Sequence, residues 1–141
     1  MAKKITEPTK ITSSSFGEVE ILPDNVFYFE NGLLGFEYLN NFVLITDDDI
    51  IPFKWLMSIE EPEIIFPLIS PFFIYDEYNI GKDIDLERYV LFNVVTFNDG
   101  NGNVTANLKA PVVLCSDDLT GEQIILTSTE YNVNEIISQR N

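Results

Sequence analysis

Apolar runs in this chain are short, and Gly, Pro, Asn or Asp interrupts them at close intervals. Segments rich in Val, Ile, Phe and Tyr lie at 18–22, 26–29, 42–46, 55–59, 64–69, 89–97, 104–108, 112–115 and 123–127. Strand-length runs at this density predict an all-β sandwich or barrel. In Val104-Thr105-Ala106-Asn107-Leu108 the apolar residues fall at every second position, which puts them on one face of a strand. Val112-Val113-Leu114 and Ile124-Ile125-Leu126 are apolar on both faces. These are either central strands or strands whose outer face meets a partner. Asn98-Asp99-Gly100-Asn101-Gly102-Asn103 and Asp117-Asp118-Leu119-Thr120-Gly121 supply the residues that tight hairpin turns require. Helix is expected only as about two turns over 81–88 and a short turn over 134–139, both too short to stand without packing.

The length of 141 residues is that of one domain, and 45% hydrophobic residues suffice for a core without staples. Residues 1–14, polar with Pro8 and a Ser/Thr cluster, read as a flexible N-terminal arm, and 15–141 as a single β domain. The start is charged and then polar, with no apolar segment of a targeting signal behind it. The most apolar stretch, 64–75, is short and holds two prolines, so no membrane span is expected.

Charge narrows the function. Eight Lys and Arg stand against 23 Asp and Glu, and three of the eight lie in the first ten positions. From residue 11 onward the chain has 5 basic and 22 acidic residues, a formal charge of −17. Such a body lacks the cations that replace counterions on nucleic-acid phosphates, and anionic membranes repel it. A basic protein is the natural partner. The chain has no histidine, which removes Ser-His-Asp and Cys-His chemistry and His metal sites. One cysteine, Cys115, makes neither an internal disulfide nor a Cys-rich zinc site, which fits a reducing cytoplasm. Cys115 closes an apolar strand and reads as a small buried hydrophobe with no basic neighbour in sequence.

The acidic clusters read more simply as solvated loops than as sites. Asp47-Asp48-Asp49 contains the oxygen ligands that Ca²⁺ and Mg²⁺ prefer, but adjacent residues in extended chain point to opposite sides. The segment 98–103 resembles the start of a Ca²⁺ loop. It then has Val104 where that loop requires Gly and Ala110 where it requires Glu, so a hairpin turn is expected. Glu60-Glu61-Pro62-Glu63 gathers carboxylates in a turn without the distinct environments that acid/base pairs need. Gly32-Leu33-Leu34-Gly35 lacks the Lys and Ser/Thr of a phosphate-binding loop. No catalytic residue, metal ligand or cofactor site is assigned. Pro71-Phe72-Phe73-Ile74-Tyr75 follows another apolar run and cannot all point inward, so exposed aromatics are expected there.

Five short motifs, in order, carry a resemblance. Phe16-Gly17-Glu18-Val19-Glu20 comes first, then Phe29-Glu30-Asn31-Gly32-Leu33-Leu34-Gly35-Phe36-Glu37. Phe53-Lys54-Trp55-Leu56-Met57-Ser58 follows, with Glu61-Pro62-Glu63 and Phe66 behind it. The last two are Val104-Thr105-Ala106-Asn107-Leu108-Lys109-Ala110-Pro111-Val112-Val113 and Gly121-Glu122-Gln123-Ile124-Ile125-Leu126. Over about residues 15–131 the chain resembles the FliW family of flagellar assembly factors. The resemblance implies a small β-barrel-like domain and a non-enzymatic regulator. Proteins of that family bind CsrA, a small basic dimeric RNA-binding repressor, and relieve its silencing of flagellin mRNA. They also bind flagellin, which competes for them and so frees CsrA. The resemblance favours an allosteric mode over mimicry of RNA.

From these readings, Phe72, Phe73 and Tyr75 are expected as exposed partner-binding aromatics. Asp47, Asp48, Glu61, Asp117 and Asp118 are expected as loop acids facing a basic partner. Flagellin, with its helical terminal region, is expected to use an apolar groove. The free protein is expected to be cytoplasmic and monomeric, with no direct nucleic-acid contact. The alternative is a small β-barrel that uses its carboxylates for metal binding or catalysis.

Overall fold

The computed structural model describes residues 5–46, 49, 52–81 and 85–139. These form eleven strands: β1 (Thr9–Ser13), β2 (Gly17–Ile21), β3 (Val26–Tyr28), β4 (Asn41–Thr46), β5 (Lys54–Ser58), β6 (Ile65–Ile69), β7 (Tyr89–Thr96), β8 (Asn103–Ala106), β9 (Val112–Cys115), β10 (Thr120–Gln123) and β11 (Glu135–Gln139). Single 3₁₀ turns occupy Pro23–Asn25 and Pro71–Phe73, and no longer helix occurs among the described residues.

Strands β3-β4-β5-β6-β7 form an antiparallel meander, β7 pairs onward with β9, and β9 with β10. The ring closes where β10 meets β3, and this pair is parallel. Seven strands close the barrel, and an odd ring cannot alternate direction all the way round, so one parallel contact is unavoidable. Every other pair in the ring is antiparallel. The seam is short: Thr120 lies opposite Tyr28, and the Tyr28 amide donates to the Leu119 carbonyl at 2.9 Å.

Phe29, Leu39, Phe42, Leu56, Leu68, Phe92, Val112 and Leu114 fill the barrel. The Phe29 and Phe42 rings meet edge to face at 5.0 Å. The seam depends on Gly121, because a Cβ there would lie 2.3 Å from the Phe29 ring.

The two-faced strands are covered from within the chain. In β4, Phe42 and Leu44 belong to the barrel core, while Val43 and Ile45 pack under the β1–β2 hairpin with Ile11, Val19 and Ile21. In β9, Val112 and Leu114 face the barrel, and Val113 lies under Tyr78, Leu108, Leu126 and Tyr131. The segment read from sequence as an arm thus contains β1, whose Ile11 stands opposite Val19 of β2. Period-two burial of Ile11, not the polar composition around it, decides this.

The C-terminal segment read as a helical turn is instead β11, paired with β8. Residues 103–106 and 135–139 thus form a ribbon that peels away from β7 beyond the barrel. The last strong run also differs. Pairing in β10 ends at Gln123, and residues 124–126 continue along 109–111 through Ile124 N to Pro111 O and Leu126 N to Lys109 O.

Candidate partner-binding surfaces

Two surface depressions, on different strands, gather the side chains able to hold a partner. The first lies beside the barrel seam. The chain from Glu30 to Glu37 turns tightly because Gly32 has φ +62° and its absent Cβ would stand 2.4 Å from the Phe36 carbonyl oxygen. The Phe36 amide then donates back to the Leu33 carbonyl at 2.7 Å, which leaves Leu33 buried and Leu34 exposed. Gln123 of β10 fastens this turn to the barrel. Its Oε1 accepts from the Leu34 amide at 2.8 Å, and its Nε2 donates to the Ala110 carbonyl at 3.0 Å.

Between the turn and the seam lies a cleft of about 650 Å³. Glu30, Glu37 and Glu122 line it together with Tyr28, Leu34 and Tyr89. All three glutamates are exposed, and no Lys or Arg lies among the described residues that line the cleft. Like charges in a concave, partly apolar wall focus potential toward a cation.

The second depression is an apolar groove of about 640 Å³ between β5, β6, β7 and the β8–β11 ribbon. Phe53, Ile69, Phe73, Phe97, Val104 and Ile136 are its main walls. Phe53 and Phe97 meet edge to face at 5.1 Å, and Phe97 also leans on Trp55 at 5.9 Å. Phe73 is 64% exposed, Phe97 43% and Ile136 46%, a contiguous apolar lining open to water.

Of the residues expected at partner surfaces, Phe72 and Phe73 are exposed, on the 3₁₀ turn that Ser70 Oγ caps through the Phe72 amide. Tyr75 is corrected. It is half-buried and donates its hydroxyl to Glu135 Oε1 at 2.8 Å, tying the turn to β11. The bond to Glu135, then burial, raises the Tyr75 hydroxyl above its ordinary range. Glu135 moves down, first through its bond from Asn132 and then through Tyr75.

Glu61 is exposed and accepts from the Tyr38 hydroxyl at 3.4 Å. Its neighbours have backbone roles. Glu60 accepts from the amides of Asn40 and Asn41 at 2.7 and 3.0 Å, and Glu63 from Ser14 at 2.7 Å. Asp117 and Asp118 are exposed but paired with Arg88 at 3.3 and 3.2 Å, so their charge is partly cancelled. Cys115 is buried as expected, with its Sγ 3.7 Å from Asp118. The basic neighbour invisible in sequence is Arg88, which the β7–β9 pairing brings beside it. Asp47 and Asp48 lie outside the described residues. No group of three His, Cys, Asp or Glu among the described residues is placed to hold a metal ion. The segment 98–103 is a hairpin turn, with Asp99 accepting from the Asn101 and Asn103 amides at 2.8 and 3.2 Å.

Sequence reasoning missed Glu30, Glu37, Glu122, Phe97 and Ile136. Three of them had a signal: Glu30 and Glu37 sit inside the second motif and Glu122 inside the fifth, and these motifs converge on one cleft. Ile136 lay in the segment misread as a turn.

A closed seven-strand barrel of acidic character, with an acidic cleft and a separate apolar groove, defines a small all-β barrel domain. Comparison with known proteins agrees. A model of the FliW protein family matches residues 10–137. The flagellar assembly factor FliW of Thermoanaerobacter pseudethanolicus is 36% identical over 138 residues, covering 91% of this chain and 92% of that one. The FliW of Thermotoga neapolitana is 31% identical over 92% of this chain and 93% of its own. A crystal structure of the flagellar assembly factor FliW superposes with a TM-score of 0.81 at 32% identity, over 92% of this chain and 97% of that one. The chain belongs to the FliW family. Among the described residues no helix is long and apolar enough to cross a membrane.

Proposed function

We propose that this protein is a cytoplasmic flagellar assembly factor that works by switching partners. It binds the basic repressor CsrA, relieves its silencing of flagellin mRNA, and releases it when flagellin accumulates. The observation that carries this reading is the separation of two chemically different surfaces on one FliW-family barrel. The cleft with Glu30, Glu37 and Glu122 suits a basic protein, because opposite charges speed encounter and select the partner. The groove with Phe53, Phe73, Phe97 and Ile136 suits the apolar stripe of an amphipathic helix, as a flagellin terminus would offer before export. Separate surfaces let one partner dislodge the other through coupled affinities without covering the same atoms.

Calorimetric titration into purified CsrA, at low and high salt and with or without flagellin, tests this. Binding that salt weakens and flagellin abolishes is expected. Absence of CsrA binding at every salt concentration sinks the proposal and leaves the fold intact.

A further inference from the structure

Asn or Asp precedes three of the seven glycines: Asn31-Gly32, Asp99-Gly100 and Asn101-Gly102. In each, the glycine lacks the side chain that would hinder its own backbone nitrogen from turning on the preceding carbonyl carbon. The three sites differ in what the fold allows.

Gly32 is buried, its amide is bonded to the Phe29 carbonyl at 3.1 Å, and the Phe36–Glu37 backbone lies against it. Ring closure there would have to break the turn that lines the acidic cleft. Asp99 is exposed, but its carboxylate accepts from the Asn101 and Asn103 amides and from Asn103 Nδ2 at 3.2 Å. These bonds, the one from Asn101 first, hold it ionised below its ordinary range, and a carboxylate anion is a poor electrophile. Asn101 has neither protection. It is exposed, and its side-chain amide makes no hydrogen bond with the described residues. The Gly102 amide has only a long 3.3 Å bond to Asn98 Oδ1, an acceptor it shares with Gly100 at 2.9 Å.

We propose that Asn101 is a self-modifying residue, at which the backbone nitrogen of Gly102 closes on the side-chain carbonyl and converts the hairpin tip to aspartate and isoaspartate. The Gly102 nitrogen gives up its proton and bonds to Cγ. The Cγ–Nδ2 bond breaks, and ammonia leaves with that proton. Water then opens the five-membered imide at either carbonyl. Opening at one gives aspartate, and opening at the other gives isoaspartate with one extra carbon in the main chain. No cofactor or oxidant is needed. The stems of this hairpin, β7 and β8, lead to Phe97 and Val104 of the apolar groove, so new charge and a longer backbone arrive beside that surface.

The test incubates the full chain at neutral and mildly alkaline pH, folded and in urea, followed by peptide mapping with fragmentation that separates the two isomers. In the folded protein Asn101 is expected to convert several-fold faster than Asn31, with Asp99 unchanged, and faster still as pH rises. In urea Asn31 is expected to catch up. Asn101→Gln is expected to abolish the fast conversion without altering the fold. Equal conversion of Asn31 and Asn101 in the folded chain overturns the assignment. So does an inert Asn101 in folded protein whose unfolded form reacts.

Discussion

At the scale of single residues the barrel seam is the sharpest constraint. Gly121 is there for space: an added methyl would sit 2.3 and 2.4 Å from two carbons of the fully buried Phe29 ring. That ring cannot swing away, because Phe42 packs edge to face against it. Gly121→Ala is expected to cost about 1–3 kcal/mol, the usual range for overpacking, read as a lower midpoint in chemical denaturation. Phe29→Leu makes room, so the double variant should lose less than the sum of the two singles, since contacting sites are not additive. Additive losses would mean that the two residues do not meet.

The Tyr75–Glu135 bond sets a pH dependence at the same scale. The folded state lowers Glu135 below its ordinary 4.5, so that contribution is full above this value and is lost as pH falls through the folded value. The folded state raises Tyr75 above its ordinary 10.0, so its contribution is full below that value and is lost as pH rises through the folded one. Stability of Tyr75→Phe relative to the parent should therefore fall short most between these limits and converge at both extremes. A constant difference across the whole range would refute the linkage.

Among elements, the β1–β2 hairpin shows most clearly that polar composition does not mean a loose segment. Ile21 is fully buried against Val26, Val43 and Met57, on the face of β4 turned away from the barrel interior. Ile21→Ala should cost about 2–4 kcal/mol, as for other buried large-to-small changes, measured by thermal or urea unfolding. Almost no change would mean that the hairpin does not pack on this face of β4.

Strand identity was legible wherever hydrophobic alternation and turn chemistry agreed, as at Val104–Ala106 after the Asn/Gly turn. It failed at 123–127 and 135–139. Burial of Ile124 and Leu126 marks packing against 109–111, not a place in the barrel, and a five-residue strand holding Ile136 and Ile137 together has no clean period. The exposed Phe72 and Phe73 were legible because too many apolar residues crowd one short stretch. The acidic cleft was not, because Leu34 and Gln123 are 89 positions apart and only the closed barrel brings them to 2.8 Å.

For the molecule as a whole, the proposed switch requires charge and shape to act separately on CsrA and on flagellin. Exposed glutamates in the cleft act at a distance, so neutralising them should change how often CsrA arrives more than how long it stays. Replacing Glu30, Glu37 and Glu122 with glutamine removes three charges from a body of −17 and leaves the apolar groove untouched. Stopped-flow association with CsrA at low salt should slow by about tenfold or more, within the span that steering covers. The difference should vanish at high salt, where charges more than a few ångströms apart are screened. Flagellin binding by the same variant should be unchanged. Phe73→Glu should do the reverse, because it places a charge in the apolar lining without altering the cleft. If the glutamine variant weakened flagellin binding as much as CsrA binding, the two partners would share one surface, and release would be direct competition instead of coupling between separate sites.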